Sequence, residues 1–331
     1  MSNNKPSPRL QSALAPLMEQ FVREKQACGY RYRSANAMLL RFDRFLSGET
    51  LSPHELPWPI TRKWLAKQPH ESAATQQSRI SIVRQFAKYM CQLGYPAYVP
   101  TGVLGAKQCP SFCPRILTHA EVQQLLRAAD QITPTALSPL RHLVLPEIFR
   151  LLYGCGLRLG EALHLRVADV DLGRGILTIR EAKFGKDRLV PPALPLVLRL
   201  QKYAAGLGPR RSDAFFFPSE HGGAWAIQTI YHQFRRLLLQ CGISHGGRGK
   251  GPRVHDLRHT FAVHTLLHWY QAGADIDAKL PVLAAYLGHQ SIDGTQRYLH
   301  LTAELFPEIT VRANAAFGDV IPQGEIHHET D

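Results

Sequence analysis

The sequence predicts a mainly α-helical protein with one small antiparallel β-sheet, an α+β fold in two domains. The chain has 331 residues, more than one typical domain and comfortable for two. Apolar residues recur at helical spacing along most of it, whereas the stretch 175–191 alternates in the manner of strands. Hydrophobic residues make up 45% and charged residues 20%, which is typical of a folded domain and excludes a disordered chain.

The first hundred residues predict a small helical domain. Its helices are expected at 10–29, 34–46, 58–65 and 72–93. In the last of them Ile80, Val83 and Phe86 share one face, while Arg79 and Arg84 lie elsewhere on the helix. Helices with basic outer faces suit a DNA-binding domain, although an interaction or dimerisation domain would show the same pattern.

A stretch rich in proline, glycine and small residues then separates two domains. We place the first domain at 1–107, a linker at 108–115, the second domain at 116–314 and a polar tail at 315–331. Thr118 and Glu121 form a capping box at the first helix of the second domain. Further helices are predicted at 138–155, 159–166, 193–206, 225–241, 256–271, 279–287 and 292–300. Segments 175–181 and 187–191 predict a β-hairpin.

Charge indicates the kind of partner. The 39 Lys and Arg exceed the 26 Asp and Glu, which gives a formal net charge of +13. That excess predicts attraction to a polyanion, most commonly nucleic acid, with anionic membranes and acidic proteins as alternatives.

The sequence also predicts where the protein resides. The start of the chain is polar and does not resemble a signal peptide, and no run of about 18 apolar residues predicts a membrane span. Of the six cysteines only Cys109 and Cys113 are close together, and no second pair completes a zinc site. We therefore expect reduced thiols in a cytoplasmic protein.

The clearest chemical motif is His255 followed by Arg258. Three residues apart on a helix, they share one face. A guanidinium can grip two oxygens of a phosphate, and an imidazole can donate or transfer a proton. The glycine-rich basic run 246–251 precedes the pair. Alone, this spacing is also common by chance on helix surfaces.

Tyr298 follows Gly288 and His289 and is a candidate nucleophile. A tyrosine hydroxyl, with a pKa of about 10, becomes competent when cations surround the phosphate and a base takes its proton. A half-buried aromatic residue on a helix would look the same in isolation.

Two further cations complete the set. Arg158 follows a glycine turn at a predicted helix start, where backbone N–H groups favour anions. Leu159 stands where a dinucleotide-binding fingerprint needs glycine, which excludes that interpretation. Glu161 is interpreted as a structural partner for a nearby cation. Lys183, at the predicted hairpin tip, could reach a DNA groove or be a solvated turn lysine.

In this order the motifs resemble those of the tyrosine recombinase (phage integrase) family, over about residues 116–310. The matching residues are Gly156 to Glu161, Lys183 with Arg188, His255 to Thr260, Leu287 to His289, and Tyr298 with His300. Gly160 departs from the family, whose members more often carry Ser or Thr there. The resemblance implies a two-domain clamp, with a core-binding domain and an integrase-like catalytic domain.

The resemblance implies a site-specific recombinase that cleaves and rejoins double-stranded DNA. Arg158 and Arg258 would hold the scissile phosphate, Tyr298 would form a 3′-phosphotyrosyl bond, and His289 would hydrogen-bond the phosphate or orient the site. Lys183 would protonate the leaving 5′-oxygen.

The resemblance further makes His255 the base or proton relay for Tyr298. Neither metal nor ATP would be needed. Four protomers on two DNA sites would act together, with a partner recombinase or an accessory DNA-bending protein as a further possibility. Association with the nucleoid and a role in integration, excision or transposition of a mobile element follow from the same resemblance.

Parts of the sequence are also compatible with three other functions. His255 with His259, and His264 with His268, have the four-residue spacing of metal ligands on a helix, but Asp256 replaces the Glu of H-E-x-x-H and Arg258 would repel a cation. We interpret His259, His264 and His268 as packing or surface residues. A type IB topoisomerase and a non-catalytic DNA-binding protein remain alternatives, which the motif order and the chemically intact set disfavour.

Overall fold

In the computed structural model the chain divides into two compact units, Met1–Cys113 and Pro114–Asp331. The structure describes residues 10–29, 32–101, 114–180, 187–247, 251–289, 291–296 and 298–299. The predicted linker at 108–115 lies outside these ranges except for its last two residues, and the predicted tail at 315–331 lies wholly outside them. None of the described helices is long and apolar enough to cross a bilayer.

The described part of the first unit contains four helices, in agreement with the prediction. They are α1 (Ala15–Ala27), α2 (Arg33–Leu46), α3 (Trp58–Leu65) and α4 (Ala73–Gln92). Their apolar faces form one core around the buried rings of Phe21, Phe42 and Phe86. The burial of these large aromatic side chains helps to stabilise this unit.

The helix α1 begins five residues later than predicted, because the preceding segment is held by α2. The carboxylate of Asp43, buried on α2, accepts the backbone N–H groups of Gln11 at 2.8 Å and Ser12 at 2.9 Å. Pro16 then falls in the first turn of α1, where its missing N–H costs nothing.

Arg79 is buried, contrary to its predicted place on a basic outer face. It forms an ion pair with Glu71 at 2.6 Å and donates to the carbonyls of Trp64 and Ala66, the latter at 3.0 Å. These carbonyls lie at the C-terminal end of α3, where a cation satisfies otherwise unpaired acceptors. The arginine therefore fixes α3 against α4.

The second unit is mainly helical with one small sheet. Its described helices are α5 (His119–Asp130), α6 (Arg141–Gly154), α7 (Leu159–His164), α8 (Leu194–Leu207), α9 (Ile227–Gln240), α10 (Asp256–Gln271), α11 (Ile276–Leu287) and α12 (Asp293–Gln296). The apolar helix α6 packs against α5, α8 and α10. The predicted capping box is confirmed, since Thr118 and Glu121 each accept the other's backbone N–H.

The sheet has three antiparallel strands in the order β1 (Val170–Asp171), β2 (Ile176–Ile179) and β3 (Arg188–Val190). The predicted hairpin is confirmed, with Leu177 opposite Val190 and Ile179 opposite Arg188. The short strand β1 was not predicted, because two residues carry no readable alternation. The turn that joins β2 to β3, with Lys183, lies outside the described residues.

The segment that enters the second unit is tied to α10. The backbone N–H of Leu117 donates to the hydroxyl of Thr260 at 3.1 Å, and the backbone of Arg115 hydrogen-bonds the carboxylate of Asp256. Both acceptors are fully buried and four residues apart on α10. This pairing satisfies two polar groups that would be costly to bury alone.

We expect Phe86→Ala to destabilise the protein by about 3–5 kcal/mol, since the residue is 0% exposed in the core of the first unit and its removal leaves a cavity. Urea unfolding of the full chain measures the change. Leu137→Ala is the control, because Leu137 is 84% exposed and its truncation should change stability by less than about 0.5 kcal/mol. Equal effects of the two variants would contradict this description of the core.

Candidate active site

Residues from four separate segments of the second unit form the candidate site. Five of the site residues predicted from the sequence lie within the described ranges: Arg158, His255, Arg258, His289 and Tyr298. Arg158 directly precedes α7, His255 directly precedes α10, and Arg258 lies on α10. His289 follows α11, and Tyr298 follows α12. Each is close enough to another member to interact through hydrogen bonds, ring contacts or charge. The predicted Lys183 lies outside the described residues.

Arg258 is the most enclosed member, with 1% of its surface exposed. Its Nη1 donates to the carbonyl of Gly156 at 2.6 Å, and its Nη2 donates to the carbonyl of Leu287 at 2.7 Å. Burial, reinforced by the charge of Arg158, lowers its pKa to about 10. The guanidinium therefore still carries its charge at neutral pH.

The C-terminal end of α11 holds two more arginines. Arg158 donates from Nη2 to the carbonyl of Gly288 at 2.9 Å, and Arg188 donates from Nε to the carbonyl of Tyr286 at 2.9 Å. The Leu287 carbonyl between them accepts from Arg258, so three successive carbonyls each accept a hydrogen bond from a different arginine. The negative end of a helix dipole favours cations at this place. Arg188, in the resemblance but given no role there, is a site residue that sequence reasoning missed.

Glu161 lies between Arg158 and Arg188 and binds both of them. The prediction that it is a structural partner for a nearby cation is confirmed. One carboxylate oxygen accepts from Arg158 at 2.7 Å, and both oxygens accept from Arg188, at 3.0 and 2.7 Å. Burial alone would raise the pKa of Glu161, but hydrogen bonds and charge from Arg188, with further bonds from Arg158, lower it to about 2. The carboxylate thus stays ionised and offsets repulsion between the arginines.

The two predicted histidines are neutral at physiological pH. Burial and the charge of Arg258 lower the pKa of His255 to about 4, and the same causes lower that of His289 to about 4. The Nδ1 of His289 lies 2.8 Å from the hydroxyl of the buried Thr295, which fixes the orientation of the ring. A neutral imidazole offers one donor and one acceptor.

Tyr298 is only 2% exposed, and its hydroxyl lies 3.1 Å from Nδ1 of His259. The histidine that was interpreted as a packing or surface residue thus packs against the candidate nucleophile. It is four residues beyond His255 on the same helical face, a signal that could have revealed it. His264 does pack inside, with Nδ1 2.9 Å from the hydroxyl of Tyr153, and His268 is exposed.

The helix predicted at 292–300 does not include the described residues 298 and 299. The helix α12 ends at Gln296, and the backbone N–H of Tyr298 donates to the carbonyl of Thr295 at 2.9 Å, three residues back. Such a bond belongs to a tighter turn than the α-helix. Arg297 and His300 lie outside the described residues.

The arrangement can hold a tetrahedral anion and bring a hydroxyl group to it. Two fixed guanidinium groups supply positive charge, and neutral imidazoles can exchange protons with the hydroxyl. Within the described ranges, no group of three or more His, Cys, Asp or Glu residues is placed to bind a metal ion.

Comparison with known proteins gives a consistent result. The model of the Phage integrase family matches residues 115–304. A protein of Sinorhizobium fredii named as an integrase/recombinase, y4rB, is 31% identical over 316 residues, covering 93% of this chain and 99% of that protein. Tyrosine recombinase XerD of Pseudomonas aeruginosa is 32% identical over 254 residues, covering 75% of this chain and 78% of that protein.

Solved structures share the fold. The XerH site-specific recombinase, in a post-cleavage complex with palindromic difH substrate, gives a TM-score of 0.60 at 22% identity, over 82% of this chain and 77% of that chain. A lambda integrase dimer bound to a core site gives 0.58 at 15% identity, over 84% of this chain and 96% of that chain.

The Glu161→Gln variant should lose roughly 3 kcal/mol of stability at pH 7, because a pKa lowered from 4.5 to about 2 corresponds to that free energy. The loss should shrink as the pH falls from about 4.5 towards 2, where the wild-type carboxylate takes up its proton. Urea unfolding at pH 7 and at pH 3.5 measures both. Glu121→Gln, at a capping box, is the control and should cost about 1 kcal/mol. A pH-independent difference would contradict the charge argument.

Gly156→Ala should destabilise the protein by about 2–4 kcal/mol. Gly156 has a φ of +57°, and an added Cβ would lie 2.6 Å from Phe261 and 2.7 Å from Leu287. Gly160→Ala is the matched control, since its added Cβ meets nothing within 4 Å and alanine favours the helix. Thermal unfolding of both variants tests this, and equal stability would argue against the tight packing behind Arg258.

Proposed function

The chain belongs to the phage integrase family, and from this membership we propose that it is a site-specific recombinase that cuts and rejoins DNA through a covalent phosphotyrosine. The cluster of Arg158 and Arg258 with the hydroxyl of Tyr298 is the observation that carries the proposal. Recombinases of the same fold named as bound to DNA, XerH and lambda integrase, support duplex DNA as the substrate.

In the proposed reaction the Tyr298 hydroxyl oxygen attacks a DNA phosphorus. The bond to the 5′-oxygen breaks, and a 3′-phosphotyrosyl bond forms. Negative charge on the non-bridging oxygens is stabilised by Arg158 and Arg258, which backbone carbonyls hold in place before the substrate binds. Each guanidinium has five N–H donors, so two carbonyl or carboxylate bonds leave donors for the phosphate.

The leaving 5′-oxygen needs a proton, which we assign to Lys183 on the basis of the family resemblance. The tyrosine must lose its own proton, and the imidazoles around it are the available acceptors. Religation is the reverse step, in which a 5′-hydroxyl attacks the phosphotyrosine and releases Tyr298.

The reaction needs neither ATP nor a metal ion in this proposal. The phosphotyrosine conserves the energy of the broken phosphodiester, so rejoining requires no external energy source. The role that a metal often has in phosphoryl transfer, neutralising charge on the phosphate, falls to the fixed guanidinium groups.

We further propose that the enzyme integrates, excises or transposes a mobile element as a tetramer on two DNA sites. Its similarity over almost the whole length of an integrase/recombinase supports the first part. The tetramer, and a partner recombinase or accessory DNA-bending protein, follow from the family resemblance, and the net charge of +13 suits tight DNA binding.

The Tyr298→Phe variant should form no covalent DNA complex, because it lacks the nucleophilic oxygen. Wild-type protein, incubated in EDTA with a nicked suicide duplex carrying its native flanking DNA, should give a shifted band on a denaturing gel. Tyr203→Phe, which alters a buried hydroxyl bound to the carbonyl of Phe216, is the control and should keep the band.

A band that persists in Tyr298→Phe would assign the nucleophile to another residue. A band that EDTA abolishes would contradict metal independence. Relaxation of supercoiled DNA without strand exchange between two sites would favour a topoisomerase instead.

A further inference from the structure

The helix α10 brings an imidazole to the nucleophile that the family resemblance does not assign. The Tyr298 hydroxyl lies 3.1 Å from Nδ1 of His259, and the two rings are 5.5 Å apart. His255, one helical turn earlier, contacts His259 edge to face at 4.7 Å between ring centroids. His259 therefore lies between the expected base and the tyrosine.

The position of His259 satisfies the geometric requirement for a general base. Such a group must lie about 2.6–3.2 Å from the atom whose proton it takes. When Tyr298 donates, Nδ1 of His259 carries the lone pair and the ring proton resides on Nε2. Tyr298 as a whole is only 2% exposed, so His259 is an acceptor closer at hand than bulk water.

The charges around His255 make it a poor first acceptor of the tyrosine proton. Burial and the charges of Arg258, Arg253 and Arg158 lower the pKa of His255 to about 4, so a proton placed there meets three cations. His259 faces the Tyr298 hydroxyl and the neutral ring of His255.

We propose that His259 is a further catalytic residue, the base that takes the Tyr298 proton during strand cleavage and returns it during religation. The inference rests on the proposed recombinase function. In cleavage the O–P bond to Tyr298 forms, the P–O bond to the 5′-oxygen breaks, and the tyrosine proton passes to Nδ1 of His259. The proton on the leaving oxygen comes separately, from the general acid.

His259→Asn tests the proposal, because its amide oxygen can accept the same hydrogen bond but is not basic. Single-turnover formation of the phosphotyrosyl adduct on the suicide duplex should slow about 100-fold or more at pH 7. The wild-type rate should level off once His259 is unprotonated, whereas the variant rate should keep rising with pH as the tyrosine ionises. His264→Asn is the matched control, since His264 contacts the hydroxyl of Tyr153 on the same helix and should leave the rate within threefold.

His259→Ala gives a second test if the asparagine variant does not fold. Binding of the DNA on a native gel shows that the variant is folded, and free imidazole should restore adduct formation in proportion to its concentration. A rate within threefold of wild type, an unchanged pH profile, or a loss that imidazole fails to restore would each overturn the proposal.

The two proposals fail in different ways. If wild-type protein forms no adduct through Tyr298, the recombinase function itself is wrong. If wild-type protein forms that adduct and His259→Asn behaves like wild type, the function stands and only the role of His259 is wrong.

Discussion

The site depends on three successive carbonyls where α11 ends, those of Tyr286, Leu287 and Gly288, each of which accepts a hydrogen bond from a different arginine. Cations brought this close repel one another, and burying a guanidinium without partners would cost several kcal/mol. The negative helix end and the ionised Glu161 offset both costs. The protein thereby holds concentrated positive charge in place, so the proposed binding of a phosphate would need little reorganisation.

This arrangement requires segments that are far apart in the sequence to pack so closely that two positions have no room for a side chain. The carbonyl of Gly156 binds Arg258, and its Cα packs against Phe261 and Leu287 so closely that no side chain fits. Gly288, at a φ of +68°, ends α11 and would place a Cβ 2.9 Å from the guanidinium of Arg188. Both glycines are therefore needed for close approach and for left-handed backbone, not for flexibility.

Much of this could be predicted from the sequence, because helical periodicity and the order of the motifs are local signals. The four helices of the first unit, the hairpin and the capping box at Thr118 are of this kind. The contact of Arg188 with α11, the burial of Arg79 and the pairing of Asp43 with residues 11 and 12 depend on tertiary packing, which spacing does not encode. The contact between His259 and Tyr298 was not predicted, because the four-residue spacing from His255 shows which face His259 is on but not which residue it meets.

The bonds between the entering segment and α10 bear on how the chain can be divided. The hydroxyl of Thr260 and the carboxylate of Asp256 are fully buried and find backbone donors at Leu117 and Arg115. A fragment of the second unit that began at α5 would leave these groups without those donors, beside the residues that contact Tyr298. A fragment that keeps both bonds therefore has to include residues 115–117.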